Sequence, residues 1–162
     1  MEGVLTISVT PESALLDEEQ NISVRCLRKH QEITIQVRLS VGGGQYASSG
    51  CFRSDDNGVV DISNDPSLKG TYTGVDKMGL LWSMEAEPGY ERIQFKTRDV
   101  KVPLLYDIYI YDGILSLDEV QNCQKACLAT SRIQRLCMEK SVRLEEIRDG
   151  PMTGKLFIPK GE

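Results

Sequence analysis

Hydrophobic and polar residues alternate with a period of two along much of the first two-thirds of the chain. Between residues 33 and 39, every second residue is Ile, Val or Leu, and the residues between them are polar. Residues 5–9 and 22–26 repeat this pattern. Such alternation is typical of β-strands that have one buried and one solvated face. The sequence therefore predicts three half-buried strands in its first forty residues.

Turn-forming residues separate these strands from further short apolar runs. Gly42-Gly43-Gly44 and Asn57-Gly58 supply residues that accept positive φ angles, as tight hairpin turns require. Five more strands are predicted over residues 45–53, 59–62, 80–86, 92–96 and 104–111. Seven or eight short strands at this spacing favour an all-β fold, an antiparallel β-sandwich.

The pattern changes after Asp112-Gly113, which divides the chain into a β-sandwich over residues 1–113 and an extension over residues 114–162. Ser116 and Glu119 have the spacing of a capping box, and apolar residues follow at helical intervals. We expect a short helix there, with positions Leu117, Val120, Cys123 and Cys127 on one face. Two late strands are predicted over residues 141–148 and 154–159.

The charge balance bears on the kind of partner that the chain can bind. The formal net charge is -5, and the chain has no basic tract. Phosphate backbones and anionic lipid surfaces both select clustered Lys and Arg, so we expect neither a nucleic acid nor a membrane as partner. No secretory signal, transit peptide or C-terminal peroxisomal signal is present in this sequence, so we expect an intracellular, cytoplasmic location.

The cysteine count indicates free thiols in a reducing compartment. The five cysteines are odd in number and unevenly spaced: Cys26, Cys51, Cys123, Cys127 and Cys137. Two thiols four residues apart do not complete a tetrahedral zinc shell, and His30 is distant in sequence. We therefore expect no metal site and interpret these cysteines as small buried hydrophobes.

The sequence lacks the arrangements that support acyl transfer. No Gly-x-Ser-x-Gly nucleophile elbow is present, and the chain has one imidazole, His30, in a polar stretch. A Cys–His pair that uses His30 stays open, although nothing in the sequence organises it. Gly42-Gly43-Gly44 precedes a strand instead of a helix, so a hairpin turn is favoured over a phosphate loop. Asp55-Asp56-Asn57-Gly58 is likewise interpreted as a turn and not as a calcium loop.

The apolar run from Met78 to Met84 contains the single Trp of the chain, Trp82. It has two interpretations. The first is ordinary sandwich core. The second is a contact surface for another domain or an acyl chain, because Met, Leu and Trp adapt to apolar partners.

Three sequence blocks carry a family resemblance. The first is Gly70-x-Tyr72-x-Gly74 followed by Met78-Gly79-Leu80-Leu81-Trp82-Ser83-Met84. The second is Lys96-x-Arg98-Asp99-Val100-x-x-Pro103-Leu104, and the third comprises Val142-Arg143, Ile147-Arg148 and Gly154-x-Leu156-Phe157-x-Pro159. In these blocks, which span nearly the whole sequence in order, the chain resembles the N-terminal domain shared by acyl-CoA thioester hydrolases and bile acid-CoA:amino acid N-acyltransferase.

The resemblance implies an immunoglobulin-like sandwich that precedes an α/β-hydrolase domain, with residue 162 near the point where that domain would begin. In the family, the hydrolase domain holds the nucleophile, the acid and the His, so no catalytic residue is carried over to this chain. The partner implied is an α/β-hydrolase domain, with acyl-CoA bound only through that domain and no metal or redox cofactor. Met78, Gly79, Leu80, Leu81 and Trp82 are the residues expected at the interface between the domains.

Taken together, these features predict an accessory sandwich of an acyl-CoA thioesterase or acyltransferase, acting in acyl-CoA and fatty acid metabolism when joined to its hydrolase domain and inactive alone. Two alternatives remain: a stand-alone protein-binding module, and a non-functional truncated paralogue. An exposed apolar patch around residues 78–82 would favour the binding module.

Overall fold

Two antiparallel sheets face each other and enclose the core. The computed structural model describes residues 3–97, 99–122 and 127–161. Its strands and helices, in chain order, are β1 (Thr6–Thr10), β2 (Ser13–Leu15), β3 (Asn21–Arg25), β4 (Glu32–Val41), β5 (Gly44–Arg53), β6 (Val60–Asp61), β7 (Lys69–Gly70), α1 (Gly79–Trp82), β8 (Glu85–Ala86), β9 (Leu104–Asp112), α2 (Leu117–Gln121), β10 (Ala129–Leu136), β11 (Arg143–Asp149) and β12 (Met152–Ile158).

The smaller of the two sheets has the order β1-β3-β6, and the larger has the order β2-β10-β9-β4-β5, with β7 and β8 both on the outer edge of β5. All of these pairings are antiparallel except that of β10 with β2. The predicted all-β class and antiparallel sandwich are therefore confirmed.

Burial follows the predicted alternation in β3 but not in β4, where Thr34 and Gln36 are as buried as the apolar residues beside them, so the solvated face predicted for that strand is wrong. Ile33, Ile35 and Val37 of β4 share one hydrophobic cluster with Ile22 and Val24 of β3, so the two sheets pack apolar face to apolar face. Phe52, Val60, Ile62, Ile108, Ile110 and Ile133 complete the fully buried part of this cluster. Each such side chain contributes about 1.5–3 kcal/mol when it is removed from water.

The predicted hairpin turn at Gly42-Gly43 is confirmed, whereas the turn at Asn57-Gly58 joins β5 to β6, which pairs with β3, and is therefore not a hairpin turn. β4 and β5 pair in register from Glu32 with Arg53 to Val41 with Gly44, which leaves Gly42 and Gly43 as a two-residue turn with φ angles of 60° and 84°. In the second turn, the Asp55 carboxylate accepts hydrogen bonds from the backbone N–H groups of Val59 and Asn57 at 2.8 and 2.9 Å. The bond from Val59 is the main cause that lowers the pKa of this carboxyl group.

Two predicted strands are wrong. Residues 79–82 form one turn of helix in place of the strand predicted over 80–86, of which Glu85–Ala86 alone is extended. The apolar run over residues 78–84 does not alternate. A single helical turn places Leu80 in the core and leaves Trp82 exposed. Residues 92–96 form no strand. Side chains hold that segment instead, since the Tyr46 hydroxyl donates to the Ile93 carbonyl at 2.8 Å and its ring meets Phe95 edge-on.

The segment after residue 113 contributes to the sandwich through β10, which pairs with β9 from Ala129 to Arg135. The expected capping box begins α2: Ser116 Oγ accepts from the Glu119 N–H at 3.2 Å, and the Glu119 carboxylate accepts from the Ser116 N–H at 2.6 Å. This helix ends at Gln121, and the expected helical position Cys123 lies outside the described residues. The two late strands are confirmed as the antiparallel hairpin β11–β12.

α1 closes one end of the core at the edge of β5. Leu80 is buried, and its carbonyl accepts a short hydrogen bond from the Ser48 hydroxyl. The ring of Tyr72 lies directly against Gly79, so that a Cβ there would fall well inside van der Waals contact with the ring. Burial raises the pKa of the Tyr72 phenol, and its hydroxyl has no hydrogen-bonding partner among the described residues.

A buried arginine holds β10 against the turn that follows β2. Arg135 is 1% exposed, and its guanidinium donates to Gln20 Oε1 at 2.6 Å, to the Leu16 carbonyl at 2.6 Å and to the Glu18 carbonyl at 3.0 Å. Burial lowers the pKa of this side chain. Three oriented acceptors suit the planar guanidinium, and a lysine ammonium could not reach all of them.

No helix in the described part of the chain combines the length and the apolar character that crossing a bilayer requires.

Replacing Arg135 should destabilise the fold far more than replacing a surface arginine on the same strand. We expect Arg135→Met to lower the free energy of unfolding by about 2–4 kcal/mol, because it strands the buried Gln20 amide oxygen and two carbonyls without donors. Urea unfolding followed by far-UV circular dichroism measures this loss.

The matched control for that substitution is Arg132→Met. Arg132 is exposed and pairs with Asp107 at 2.7 Å, an ion pair that solvent screens, so its loss should change stability little. Equal losses from the two substitutions would contradict the structural role of Arg135.

The contact between Gly79 and Tyr72 gives a second stability test. We expect Gly79→Ala to lower the free energy of unfolding by about 1–3 kcal/mol, since the added methyl group displaces the ring. Combined with Tyr72→Ala, the same substitution should cost about 0.5 kcal/mol or less, because the ring is gone. Additive losses in urea unfolding would show that the clash does not govern this site.

Tyr72→Phe should leave stability unchanged or slightly raise it, because the hydroxyl is unpaired.

Candidate functional site at the Trp82 corner

The segment from Gly70 to Met84, which carries the first family block, is fastened to β5 at both ends. Gly70 has a φ of 133° and lies against the Ser49 carbonyl, where no side chain fits. Thr71 Oγ1 donates to that same carbonyl at 3.1 Å and contacts the Ser83 hydroxyl at 2.6 Å. The glycine and the threonine therefore fix where the segment leaves the sheet and where it returns.

The middle of this segment is held by contacts to the chain around residues 19 and 20. The Met78 backbone N–H donates to Asp76 Oδ1 at 2.9 Å, and the Gln20 N–H points at the Met78 sulfur at 3.4 Å. At the surface, the Lys77 ammonium and the Glu19 carboxylate form an ion pair at 2.5 Å. The contacts to Gln20 and Glu19 therefore connect the residues before α1 to the chain that leads into β3.

The five residues expected at a domain interface fall into two groups. Met78, Gly79 and Leu80 are buried within the chain's own core, so their surface is not available to a partner. Leu81 is half-buried, and Trp82 is 69% exposed. We call Leu81 and Trp82 together the Trp82 corner. The core interpretation therefore holds for the first half of the run, and in the second half Trp82 is exposed while Leu81 and Met84 are half-buried against the core.

Trp82 is presented on a rigid support. Its backbone N–H donates to the Met78 carbonyl at 3.0 Å, and the next residue closes the helical turn by donating to the Gly79 carbonyl at 2.9 Å. Because the residues before it are packed in the core, the indole projects from a fixed backbone. An exposed and positioned indole is typical of the residues that dominate protein–protein contacts.

A second fixed feature lies at the outer edge of β5. Arg38 pairs with Glu87 through two hydrogen bonds of 2.9 Å, and the Glu87 residue is only 9% exposed. The hydrogen bond to Glu87 is the main cause that raises the pKa of Arg38. Because this bidentate pair ties residue 87 to β4, the loop that carries Phe95 leaves the sheet from a defined point.

The second family block lines an open groove beside the Gly42-Gly43 turn. The groove has a volume of about 620 Å³, and Thr97, Asp99, Val102 and Pro103 form one wall. Arg98, which belongs to the same block, lies outside the described residues. The sequence did not single out this groove, because turn glycines and a block without periodicity give no signal for a concave surface.

The described hydrogen-bonding partners of the imidazole and of the thiols are residues other than Leu81 and Trp82. His30 lies in an exposed turn with a φ of 56°, and its Nε2 is 3.1 Å from Asp56 Oδ1. The Cys51 thiol is buried between Thr34 Oγ1 at 3.4 Å and the Leu115 carbonyl at 3.6 Å. The Cys127 thiol donates to the Ala129 carbonyl at 3.0 Å. In the described part of the chain, the Cys51 and Cys127 thiols thus have hydrogen-bonding partners other than His30.

The four described cysteines have free thiols, as expected: Cys26, Cys51, Cys127 and Cys137. Cys51 is buried and Cys26 is exposed, so the interpretation as buried hydrophobes holds for the first and not for the second. Burial raises the pKa of the Cys137 thiol. Within residues 3–97, 99–122 and 127–161, no group of three or more His, Cys, Asp and Glu side chains comes together to hold a metal ion.

Comparison with known proteins agrees with these features. A family model described as the N-terminal region of acyl-CoA thioester hydrolases and BAAT matches residues 17–149. Acyl-coenzyme A thioesterase 6 of Mus musculus is 31% identical over 97% of this chain and 36% of its own length. Acyl-coenzyme A amino acid N-acyltransferase 2 of Mus musculus is 29% identical over 98% of this chain and 37% of its own length.

A third relative, the mitochondrial acyl-coenzyme A thioesterase 2 of Rattus norvegicus, is 33% identical over 95% of this chain and 33% of its own length. The chain thus spans about a third of the length of the curated relatives that it matches. The family model covers all of the Trp82 corner and the strands that support it. The chain therefore belongs to the family of acyl-CoA thioester hydrolases and BAAT, and it corresponds to the N-terminal region of that family.

Proposed function

We propose that this chain is a non-catalytic accessory sandwich whose Trp82 corner packs against the catalytic region of an acyl-CoA thioesterase or acyl-CoA amino acid N-acyltransferase. Acyl-CoA then binds through that catalytic region. The observation that carries the proposal is the 69% exposure of Trp82 on a helical turn whose first two residues are buried. The broad apolar patch over residues 78–82 that would favour a stand-alone binding module is absent, because Met78 and Leu80 are buried. A positioned indole with an apolar neighbour suits a contact with a partner.

The rigidity of the support adds to the strength of such a contact. Because the backbone of α1 is fixed by Ser48, Asp76 and Thr71, little freedom is lost when the indole is covered. Centrally placed Trp residues commonly contribute about 2–4 kcal/mol to an interface. The half-buried Leu81 beside it extends the same apolar surface.

The placement of the candidate nucleophiles supports an accessory role. Cleavage of a thioester by covalent catalysis needs a nucleophile within hydrogen-bonding reach of a base. The imidazole of His30 has an exposed carboxylate as its partner, and the Cys51 thiol is enclosed by a threonine hydroxyl and a backbone carbonyl. A partner domain would have to supply the attacking group.

The chain alone should not hydrolyse acyl-CoA. We expect purified protein mixed with palmitoyl-CoA to release free fatty acid at the uncatalysed rate, measured by chromatography of the acid. The variants His30→Ala and Cys51→Ser should behave identically. A rate above background in the unchanged chain would contradict the accessory role, and its loss in either variant would identify the responsible side chain.

The contact made by Trp82 can be tested in a chimera. The chain would replace the matched 36% of mouse acyl-coenzyme A thioesterase 6, with the remaining part of the enzyme unchanged. We expect Trp82→Ala to lower the midpoint of thermal inactivation by several degrees, because about 2–4 kcal/mol of interface energy is lost.

The matched control in the chimera is Phe95→Ala, which removes an aromatic side chain that is 52% exposed and lies outside the first family block. Its midpoint should fall by less than that of Trp82→Ala, because Phe95 loses only its edge-on contact with Tyr46. Equal shifts for both variants would contradict a specific role for Trp82.

A further inference from the structure

The hairpin β11–β12 stands apart from the sandwich. Its two strands pair with each other and belong to neither of the larger sheets, and none of their residues is buried. An isolated two-stranded sheet is marginally stable in water, and a third strand or a packed neighbour normally supports it. Within the described part of the chain no further strand pairs with this hairpin, so its support has to come from outside the sandwich.

The comparison with the family divides the chain inside this hairpin. The match to the N-terminal region ends at residue 149, which is the last residue of β11, so β12 lies beyond it. The similarity to acyl-coenzyme A amino acid N-acyltransferase 2 nevertheless covers 98% of this chain, which leaves too few residues out to exclude β12. In this relative, the counterpart of β12 therefore lies at the start of the part that follows the N-terminal region.

The two outer edges of the hairpin differ in charge. β11 has five charged residues out of seven. Two ion pairs lie along it, Arg143 with Glu145 at 2.9 Å and Arg148 with Glu146 at 4.0 Å. Charged side chains along an edge strand oppose the addition of another strand. Because β12 has a single charged residue, Lys155, its outer edge is the one suited to accept a strand.

We propose that a strand of the catalytic region pairs with the outer edge of β12, so that β11 and β12 form the margin of that region's sheet and not a part of the sandwich. The inference rests on the proposed function, because it takes the same partner and adds a second contact to that of the Trp82 corner.

The length of the relatives supports this occupant. The match covers 36% of mouse acyl-coenzyme A thioesterase 6, so the larger part of that enzyme lies outside it and belongs to the same chain as the counterpart of β12. A strand tethered in the same chain pairs intramolecularly, which raises its effective concentration above that of a separate molecule. Every second backbone N–H and C=O of an antiparallel edge strand points away from its neighbour, and these groups bind an added strand.

Hydrogen exchange resolved to single amides tests the proposal in the chain alone and in the chimera with the catalytic region of mouse acyl-coenzyme A thioesterase 6. In the chain alone, the β12 amides that point away from β11 should exchange at close to the rate of an unstructured peptide. In the chimera, they should exchange at least about 100-fold more slowly. The β11 amides that point away from β12 are the matched control and should stay fast in both proteins.

Two results of this experiment would overturn the proposal. The first is a chimera in which the outward amides of β12 exchange as fast as those of β11. The second is protection of the same β12 amides in the chain alone, because their partner would then lie within this chain or in a second copy of it.

Proline substitutions distinguish a strand that is paired on both sides from an edge strand. Proline removes the backbone N–H, and neighbouring N–H groups of a strand point in opposite directions. Lys155→Pro and Leu156→Pro should therefore both lower the midpoint of thermal inactivation of the chimera by several degrees. Lys155→Ala and Leu156→Ala keep the N–H and control for the loss of the side chains.

The matched pair on β11 is Glu145→Pro and Glu146→Pro. Because β11 stays an edge strand in the proposed sheet, one of these two prolines removes an N–H that points to solvent and should leave the midpoint nearly unchanged. A β12 pair that behaves in the same way, with one of its two prolines tolerated, would overturn the strand addition.

The same chimera separates this inference from the proposed function. If Trp82→Ala leaves the midpoint unchanged while the outward β12 amides gain protection, the strand addition stands and the Trp82 contact does not. If Trp82→Ala lowers the midpoint while these amides stay fast, the strand addition is overturned and the proposed function stands.

Discussion

Ile33, Ile35 and Val37 of β4 share one apolar interior with Ile22 and Val24 of β3, and this contact between the sheets determines where everything else lies. Once one face of β4 is buried, the side-chain period of two fixes which face of β5 and β9 turns inward. β4 lies at the centre of the larger sheet, with β5 on one side and β9 on the other. Its register therefore passes directly to both neighbours.

The Trp82 corner inherits its position from that register. Ser48 and Ser49 lie on β5 opposite Val37 and Gln36, and they hold Leu80 and Thr71 in the segment that leads to the indole. A slip of β5 by one residue would replace the Ser48 hydroxyl with a side chain of the other face. The position of the exposed indole thus depends on hydrogen bonds between β5 and the segment from Gly70 to Met84.

The parts of the fold that could be predicted are those in which local pattern and tertiary role agree. The alternation in β4 and the turn glycines at 42 and 43 specify a hairpin by themselves, and the spacing of Ser116 and Glu119 specifies the start of α2. The sequence does not predict β10, because Arg135 occupies a core position and a polar residue there interrupts the alternation of apolar residues. Only the acceptors supplied by the distant turn around Gln20 make that burial tolerable.

The site was predictable in location but not in its division between core and surface. A run from Met78 to Trp82 without alternation does not state which residues face inward, since a strand and a helical turn would expose different members. The packing of Tyr72 on Gly79 helps to fix which residues of the run face inward. No sequence periodicity connects these two residues. Family membership identifies the segment, and its geometry leaves Trp82 exposed and Leu81 half-buried.

The exposure of the single Trp also has an optical consequence. Its indole is already surrounded largely by water in the native state, so its emission spectrum should differ little between the folded and the denatured chain. Intrinsic fluorescence is therefore a poor monitor of the melting of this sandwich. For the same reason, a blue shift of that emission would report coverage of the indole with almost no background from the interior of the protein.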